Sequence, residues 1–179
     1  MISRPSPSSV EIRPGRPDDV GELDRLLRVL AETLGDLDHH RSTAESLRRD
    51  GFGPSPLFSS LLAWPRSVGG SGHGRSAGQE AVGACVYLPD YSTTRAQSGV
   101  YILDLVVVPA LRGSGVGLEL MGAAAEAGRR RWNADYVILA VARTNLGAQR
   151  FYQRHGFVVD ETSQVMTLQL DRLDRFQRG

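Results

Sequence analysis

The run Leu105-Val-Val-Val-Pro-Ala-Leu-Arg-Gly-Ser-Gly-Val-Gly117 decides how this chain is read. Its valine-rich start predicts a buried strand and its proline and glycines a turn and loop. The next residues predict a helix from about Gly115 to Arg131. Glycines at a helix start leave backbone N–H groups unpaired and pointing outward. With the positive end of the helix dipole they form a cradle for a phosphate or pyrophosphate, and Arg112 adds a permanent positive charge beside it. Three kinds of phosphate loop compete for this pattern. A Walker-type loop ends in Gly-Lys-Ser/Thr, yet all 21 basic residues of the chain are arginine. A dinucleotide fingerprint places G-x-G-x-x-G after the first strand of a βαβ unit, with an acid about 20 residues on. Here Gly113, Gly115 and Gly117 are spaced by two and lie past the middle of the chain. The third pattern, Arg-x-x-Gly-x-Gly after a strand ending Val-Val-Pro, is met by Arg112, Gly115 and Gly117. A strand-to-helix connection with no ligand also remains open.

A second segment narrows the choice. Asn145-Leu-Gly-Ala-Gln-Arg-Phe-Tyr-Gln-Arg-His-Gly-Phe157 offers Asn145 as a helix N-cap and Ala148, Phe151 and Tyr152 on one face. Gly156 is a natural stop before a new strand at Phe157-Val-Val159. Together the two segments resemble the acyl-CoA signatures of the GNAT superfamily of N-acetyltransferases, Arg-x-x-Gly-x-Gly and then N-x-x-A-x-x-F-Y-x-x-x-G-F.

The rest of the chain is ordered accordingly. Residues 1–9, rich in serine and proline, predict a disordered tail, and a single domain spans 10–179. Val10 to Arg13 predicts a strand. Pro17-Asp-Asp-Val-Gly-Glu opens a helix with acids in its first turn, favoured by the dipole, and with Leu23, Leu26, Leu27, Leu30 and Leu34 at helical spacing; a second helix runs from Thr43 to Asp50 with Gly51 as its stop. Leu57 to Trp64, Ala81 to Leu88, Val100 to Val108, Tyr136 to Val141 and Gln164 to Leu170 predict strands, and the glycine- and serine-rich 66–79 a mobile hairpin loop. The order β-α-α-β-β-β-α-β-α-β is that of the GNAT fold. The resemblance thus implies an α/β class with a central mixed sheet of six or seven strands and about four helices.

Bulk properties set outer limits. A formal net charge of +1 gives no electrostatic footprint for nucleic acid or an anionic membrane. The start lacks the apolar stretch of a signal peptide, and no apolar run has the length of a membrane span, so the expected setting is cytoplasmic. Cys85 is the single cysteine, in an apolar run, and reads as a small core residue rather than a nucleophile. His39 and His40 are adjacent, so their side chains diverge; they read as exposed loop histidines, and no metal site is expected. Arg129 to Arg131 read as a solvated helix end favoured by the dipole.

The resemblance implies a direct transfer from acetyl-CoA to an amine. Backbone groups of Leu105, Val106 and Val107 would pair with the pantetheine arm like an added strand, one N–H polarising the thioester carbonyl. The amides of Arg112, Gly113, Ser114, Gly115, Val116 and Gly117 would hold the pyrophosphate. Asn145 and Ala148 belong to the second CoA motif, and Tyr152 would protonate the leaving thiolate, since a phenol with pKa near 10 can serve that purpose. The amine's proton would go to one of Glu32, Asp36, Asp38, His39, His40 or Asp104, directly or through water. The N-terminal half further resembles the diamine (spermidine/spermine and thialysine) acetyltransferases, through Ile12-Arg-Pro14, Leu30-Ala31, Ser46-Leu-Arg-Arg-Asp-Gly-Phe-Gly53 and Tyr101-Ile-Leu-Asp104. That group is homodimeric. Where it carries acids for its cationic substrates, this chain has Leu34 and Leu103. The small-molecule acceptor is therefore expected to carry less charge there, with Glu32, Leu34, Leu103 and Asp104 around it. Acetylation of peptide or protein N-termini, and a non-catalytic CoA-binding module, are the other readings.

Overall fold

The computed structural model describes residues 10–66 and 79–167. They belong to two compact units, one running to Ala140 and the other beginning at Val141. The first holds β1 (Val10–Pro14), α1 (Val20–Leu34), α2 (Ala44–Phe52), β2 (Ser59–Pro65), β3 (Gly83–Ser92), β4 (Gln97–Val107), α3 (Val116–Trp132) and β5 (Tyr136–Leu139); the second holds α4 (Leu146–Arg154). The sheet order is β1-β2-β3-β4-β5, antiparallel except for the parallel pair β4 and β5. No helix among the described residues is long and apolar enough to cross a membrane.

The α/β class and the element order agree with expectation, but the described sheet has five strands rather than six or seven. Phe157 to Val159 forms no strand: Val158 and Val159 are exposed, and no described strand pairs with them. Residues 164–167 are likewise irregular, and 168–170 lie outside the described residues, as do the tail 1–9 and residues 67–78 of the hairpin loop.

Leucine spacing on α1 translates directly into packing. Leu23, Leu26 and Leu27 are buried with Leu47 of α2 against Leu62, Trp64, Ala84, Val86 and Val106 of the sheet. Leu34, one turn past the last buried position, is 50% exposed. Truncating a fully buried leucine such as Leu26 to alanine typically costs about 2–5 kcal/mol.

The start of α2 is capped as its sequence implies, with Ser46 N–H donating to Thr43 Oγ1 at 3.1 Å and Thr43 N–H to Ser46 Oγ at 3.0 Å. Its end is not at Gly51: the helix continues to Phe52 and is capped by Gly53. Gly51 is small because Phe58 packs on it, a Cβ there falling 2.5 Å from the ring. The expected helix opening at Pro17 is a separate 3-10 turn, Pro17–Asp19, and Asp19 is not a solvated first-turn acid. Its carboxylate, 2% exposed, accepts from Arg13 at 2.6 and 2.9 Å and from the Arg16 N–H at 2.9 Å.

Strand β4 contains an irregularity in its pairing with β3. Tyr87 of β3 pairs with Ile102 and Val86 with Asp104, so Leu103 is an extra residue, a β-bulge. In an unbroken strand Ile102 and Asp104 would share a face. Ile102 instead pairs with Tyr87, whose ring meets Trp132 of α3, whereas Asp104 pairs with Val86, part of the core beneath α1 and α2. The bulge moves Asp104 from the α3 side of the sheet to the α1 side.

Candidate active site

Strand β5 pairs with β4 only from Gly99 to Ile102. From Leu103 to Val107 that side of β4 has no strand partner among the described residues. The N–H of Val108 donates to Val82 O on the β3 side at 2.9 Å. Period-two alternation then turns the backbone groups of Val106 towards β3 and those of Leu105 and Val107 towards the open edge. Of the three residues expected to meet a pantetheine arm, Leu105 and Val107 turn their backbone groups to the open edge, where Val107 O accepts from Arg112 Nε, while Val106 contributes its buried side chain to the core.

The glycine loop lies at the end of this edge. Pro109–Leu111 makes a 3-10 turn, Gly113 and Gly115 adopt φ of +79° and +96°, and Gly115 is the N-cap of α3. That left-handed backbone favours glycine, and with no cap side chain the N–H groups of Val116, Gly117 and Leu118 have no intrahelical acceptor. The first helical bond is Glu119 N–H to Gly115 O, 3.0 Å. Val116 buries its side chain, so it offers only backbone; Ser114 Oγ donates to Leu111 O at 2.6 Å, closing the turn. Gly115→Ala meets no steric neighbour and tests the backbone alone. The left-handed strain of about 1–2 kcal/mol should weaken CoA binding about tenfold, read by isothermal titration.

Arg112 is directed elsewhere than its charge suggests. Its Nη2 donates to Thr33 Oγ1 of α1 at 2.9 Å and its Nε to Val107 O at 3.3 Å. The side chain ties the loop to the last turn of α1, the turn that also carries Glu32 and Leu34, both exposed. Thr33 was not legible as a site neighbour, because the contact spans 79 residues. Leu103, 45% exposed, and half-buried Asp104 complete this end of the unit. Burial pushes the Asp104 carboxyl above the ordinary carboxylate range, and the His40 ring opposes the shift. His40 Nε2 is sealed from solvent without a hydrogen-bond partner among the described residues, an arrangement that costs about 1–3 kcal/mol. This histidine is not the exposed loop residue its sequence implied.

Cys85 is buried, its thiol pushed up to about 12 chiefly by that burial and further by Asp104, which makes it a core residue and not a nucleophile. No group of three or more His, Cys, Asp or Glu side chains that could hold a metal is found among the described residues.

The second unit carries the other motif. Asn145 caps α4, its Oδ1 accepting from the Ala148 N–H at 3.1 Å, which leaves the side-chain NH2 donating to no described residue. At the far end Gly156, at φ +89°, closes a Schellman motif: Phe157 N–H donates to Tyr152 O and Gly156 N–H to Gln153 O, both 3.1 Å. The Phe157 ring packs on the Tyr152 ring at 5.4 Å, and Phe151 meets it edge-on at 5.2 Å. Tyr152 is thus held through its carbonyl and through ring contacts with Phe151 and Phe157.

Comparison with known proteins agrees with this construction. The sequence profile described as the Acetyltransferase (GNAT) family matches residues 38–157. Thialysine N-epsilon-acetyltransferase of Mus musculus is 34% identical over 150 residues, covering 83% of this chain and 84% of that protein. Among solved structures, an integron cassette protein of V. cholerae superposes with TM-score 0.71 at 18% identity, covering 96% of this chain and 99% of the other. An aminoglycoside acetyltransferase from an uncultured soil metagenomic sample gives 0.67 at 21%, covering 90% and 100%. These two likenesses speak for the fold alone. A profile match across two thirds of the chain, with a relative one third identical along most of its length, makes this chain a member of the GNAT family of acetyltransferases.

Proposed function

We propose that this acetyltransferase moves an acetyl group from acetyl-CoA directly to the primary amine of a small diamine- or amino-acid-like molecule, with Tyr152 as general acid. The observation that carries the reading is the open edge of β4 running into a helix start with three unpaired N–H groups. An extended amide-bearing arm adds to such an edge as a strand, and a pyrophosphate fits the helix start. Leu105 and Val107 pair with the arm, and the first amides of α3 hold the pyrophosphate. Acetyl-CoA supplies the activated acyl group. An outward N–H of β4 stabilises the charge that develops on the acyl oxygen. Asn145 offers its free NH2 to the CoA arm, and Tyr152 gives its proton to the leaving thiolate.

For the acceptor, Leu34 and Leu103 offer half-exposed apolar surface in place of acids, with Asp104 the acidic group between sheet and α1. This suits one amine on an aliphatic stem, as on the side chain of thialysine, on which the mouse relative acts by name. The dimeric habit of the diamine group carries over as a homodimer, read by light scattering.

The deciding experiment measures thiol release from acetyl-CoA across a panel of diamines, amino acids bearing side-chain amines, aminoglycosides and N-terminal peptides. Turnover is expected with an amino-acid-like or diamine acceptor. Preference for peptides would replace the acceptor class. A melting-temperature shift with acetyl-CoA but no thiol release from any amine would leave a non-catalytic CoA-binding module.

A further inference from the structure

Arg112 stands three residues before Gly115, the N-cap of α3, and its permanent charge meets no carboxylate among the described residues. Two neutral oxygens hold it instead. Its Nη2 donates to Thr33 Oγ1 at 2.9 Å, and its Nε donates at 3.3 Å to Val107 O, the carbonyl that faces the open edge of β4. The Thr33 hydroxyl donates its own proton to Val29 O at 2.7 Å, one turn back along α1, which leaves its lone pairs for the guanidinium. Two of the arginine's donors are thus taken by the protein itself, and so is one acceptor of the strand edge. Both Thr33 and Arg112 are exposed, so a ligand can reach them. A hydrogen bond from a cation to an anion is about twice as strong as one to a neutral group. Donor for donor, an anion at the start of α3 therefore outcompetes both oxygens.

We propose that Thr33 Oγ1 and Val107 O form a latch that parks Arg112 in the unliganded protein, and that Arg112 leaves it for the pyrophosphate when the CoA site fills. This rests on the acetyl-CoA reading of that site. Release has two consequences. The Val107 carbonyl becomes free to accept from an amide of the pantetheine arm, so loop and strand edge change together. The last turn of α1, which carries Glu32 and Leu34, also loses a tie to the loop 79 residues further along the chain. Filling the donor site is therefore felt on the helix end where the acceptor amine is expected. Linkage fixes the sign: a contact that CoA binding must open opposes CoA binding.

The test is a calorimetric CoA titration of the wild type, Thr33→Val, Thr33→Ser, Arg112→Ala and the double variant Thr33→Val/Arg112→Ala. Valine keeps the branched shape of threonine and removes the acceptor. Thr33→Val should bind CoA about two- to tenfold more tightly, whereas Thr33→Ser, which keeps the hydroxyl, should match the wild type. Arg112→Ala should bind more weakly, and adding Thr33→Val to it should change nothing further. Hydrogen exchange supplies a second reading. The N–H groups of Gly35 and Asp36 close α1 on Glu32 O and Ala31 O, and in the wild type they should exchange faster once CoA is bound. In Thr33→Val the same amides should exchange at that faster rate without CoA. Unchanged or weaker CoA binding in Thr33→Val overturns the latch, as does the same tightening in the Arg112→Ala background. Exchange at Gly35 and Asp36 that ignores CoA overturns the link to α1. A wild type that binds no CoA overturns the acetyl-CoA reading itself, and the latch with it.

Discussion

Replacing Tyr152 with phenylalanine lowers kcat by about a hundredfold or more, while stability and the affinity for CoA stay close to those of the wild type. The substitution removes one hydroxyl. Residue 152 is oriented in part by its carbonyl, which accepts from Phe157 N–H, and by its ring contacts with Phe151 and Phe157. Phenylalanine retains these three. Thiolate expulsion then proceeds without a positioned acid, so the loss falls on kcat rather than on KM. Steady-state kinetics with the best amine of the panel, alongside a CoA titration, reads both quantities. Full turnover in the variant would remove Tyr152 from its assigned role.

Replacing Asp19 with alanine destabilises the fold by about 3 kcal/mol, the low end of the range for a broken buried ion pair, because Arg13 keeps a fringe of solvent. The loss has two parts. Arg13 forfeits its bidentate acceptor, the hydrogen bonds that hold its guanidinium above the usual arginine pKa, and the Arg16 N–H forfeits its partner. The remaining stacking of Arg13 over Trp64, 4.8 Å from guanidinium to ring centroid, does not replace either. For a chain of this size the melting temperature should fall by about 6–12 °C. Urea unfolding of the variant checks the figure; a change under about 1 kcal/mol would show the pair to be structurally idle.

What the sequence made visible was local chemistry. The strand–loop–helix at Leu105 to Gly117, the Asn145 cap and the Gly156 stop each depend on residues within one turn of each other, and each formed as read. Three misreadings involve partners beyond the local segment. Gly51 carries the sign of a helix stop, yet its size answers to Phe58, which reaches it only after the chain has turned into β2. Asp19 reads as a dipole-favoured acid because nothing local shows that β1 brings Arg13 to it. His40 looked solvent-exposed because its surroundings come from a sheet face more than 60 residues later in the chain. The bulge was hidden for another reason. Tyr101-Ile-Leu-Asp104 scans as an ordinary apolar strand, and only the pairing with β3 shows that one residue is surplus.

That surplus residue divides β4 into two lengths of opposite phase. Gln97 to Ile102 keeps step with the ladder that includes β5, and Asp104 to Val107 keeps its own step. At position 103 the count therefore matters more than the side chain. Leu103 can be exchanged for many residues without moving anything else. Its deletion would exchange the faces of every residue on one side of it, sending the Asp104 carboxyl towards α3 and the Val106 side chain out of the core. The first half of the strand keeps the pairing with β5 and the second half fixes the face of Asp104, with a single peptide unit between the two.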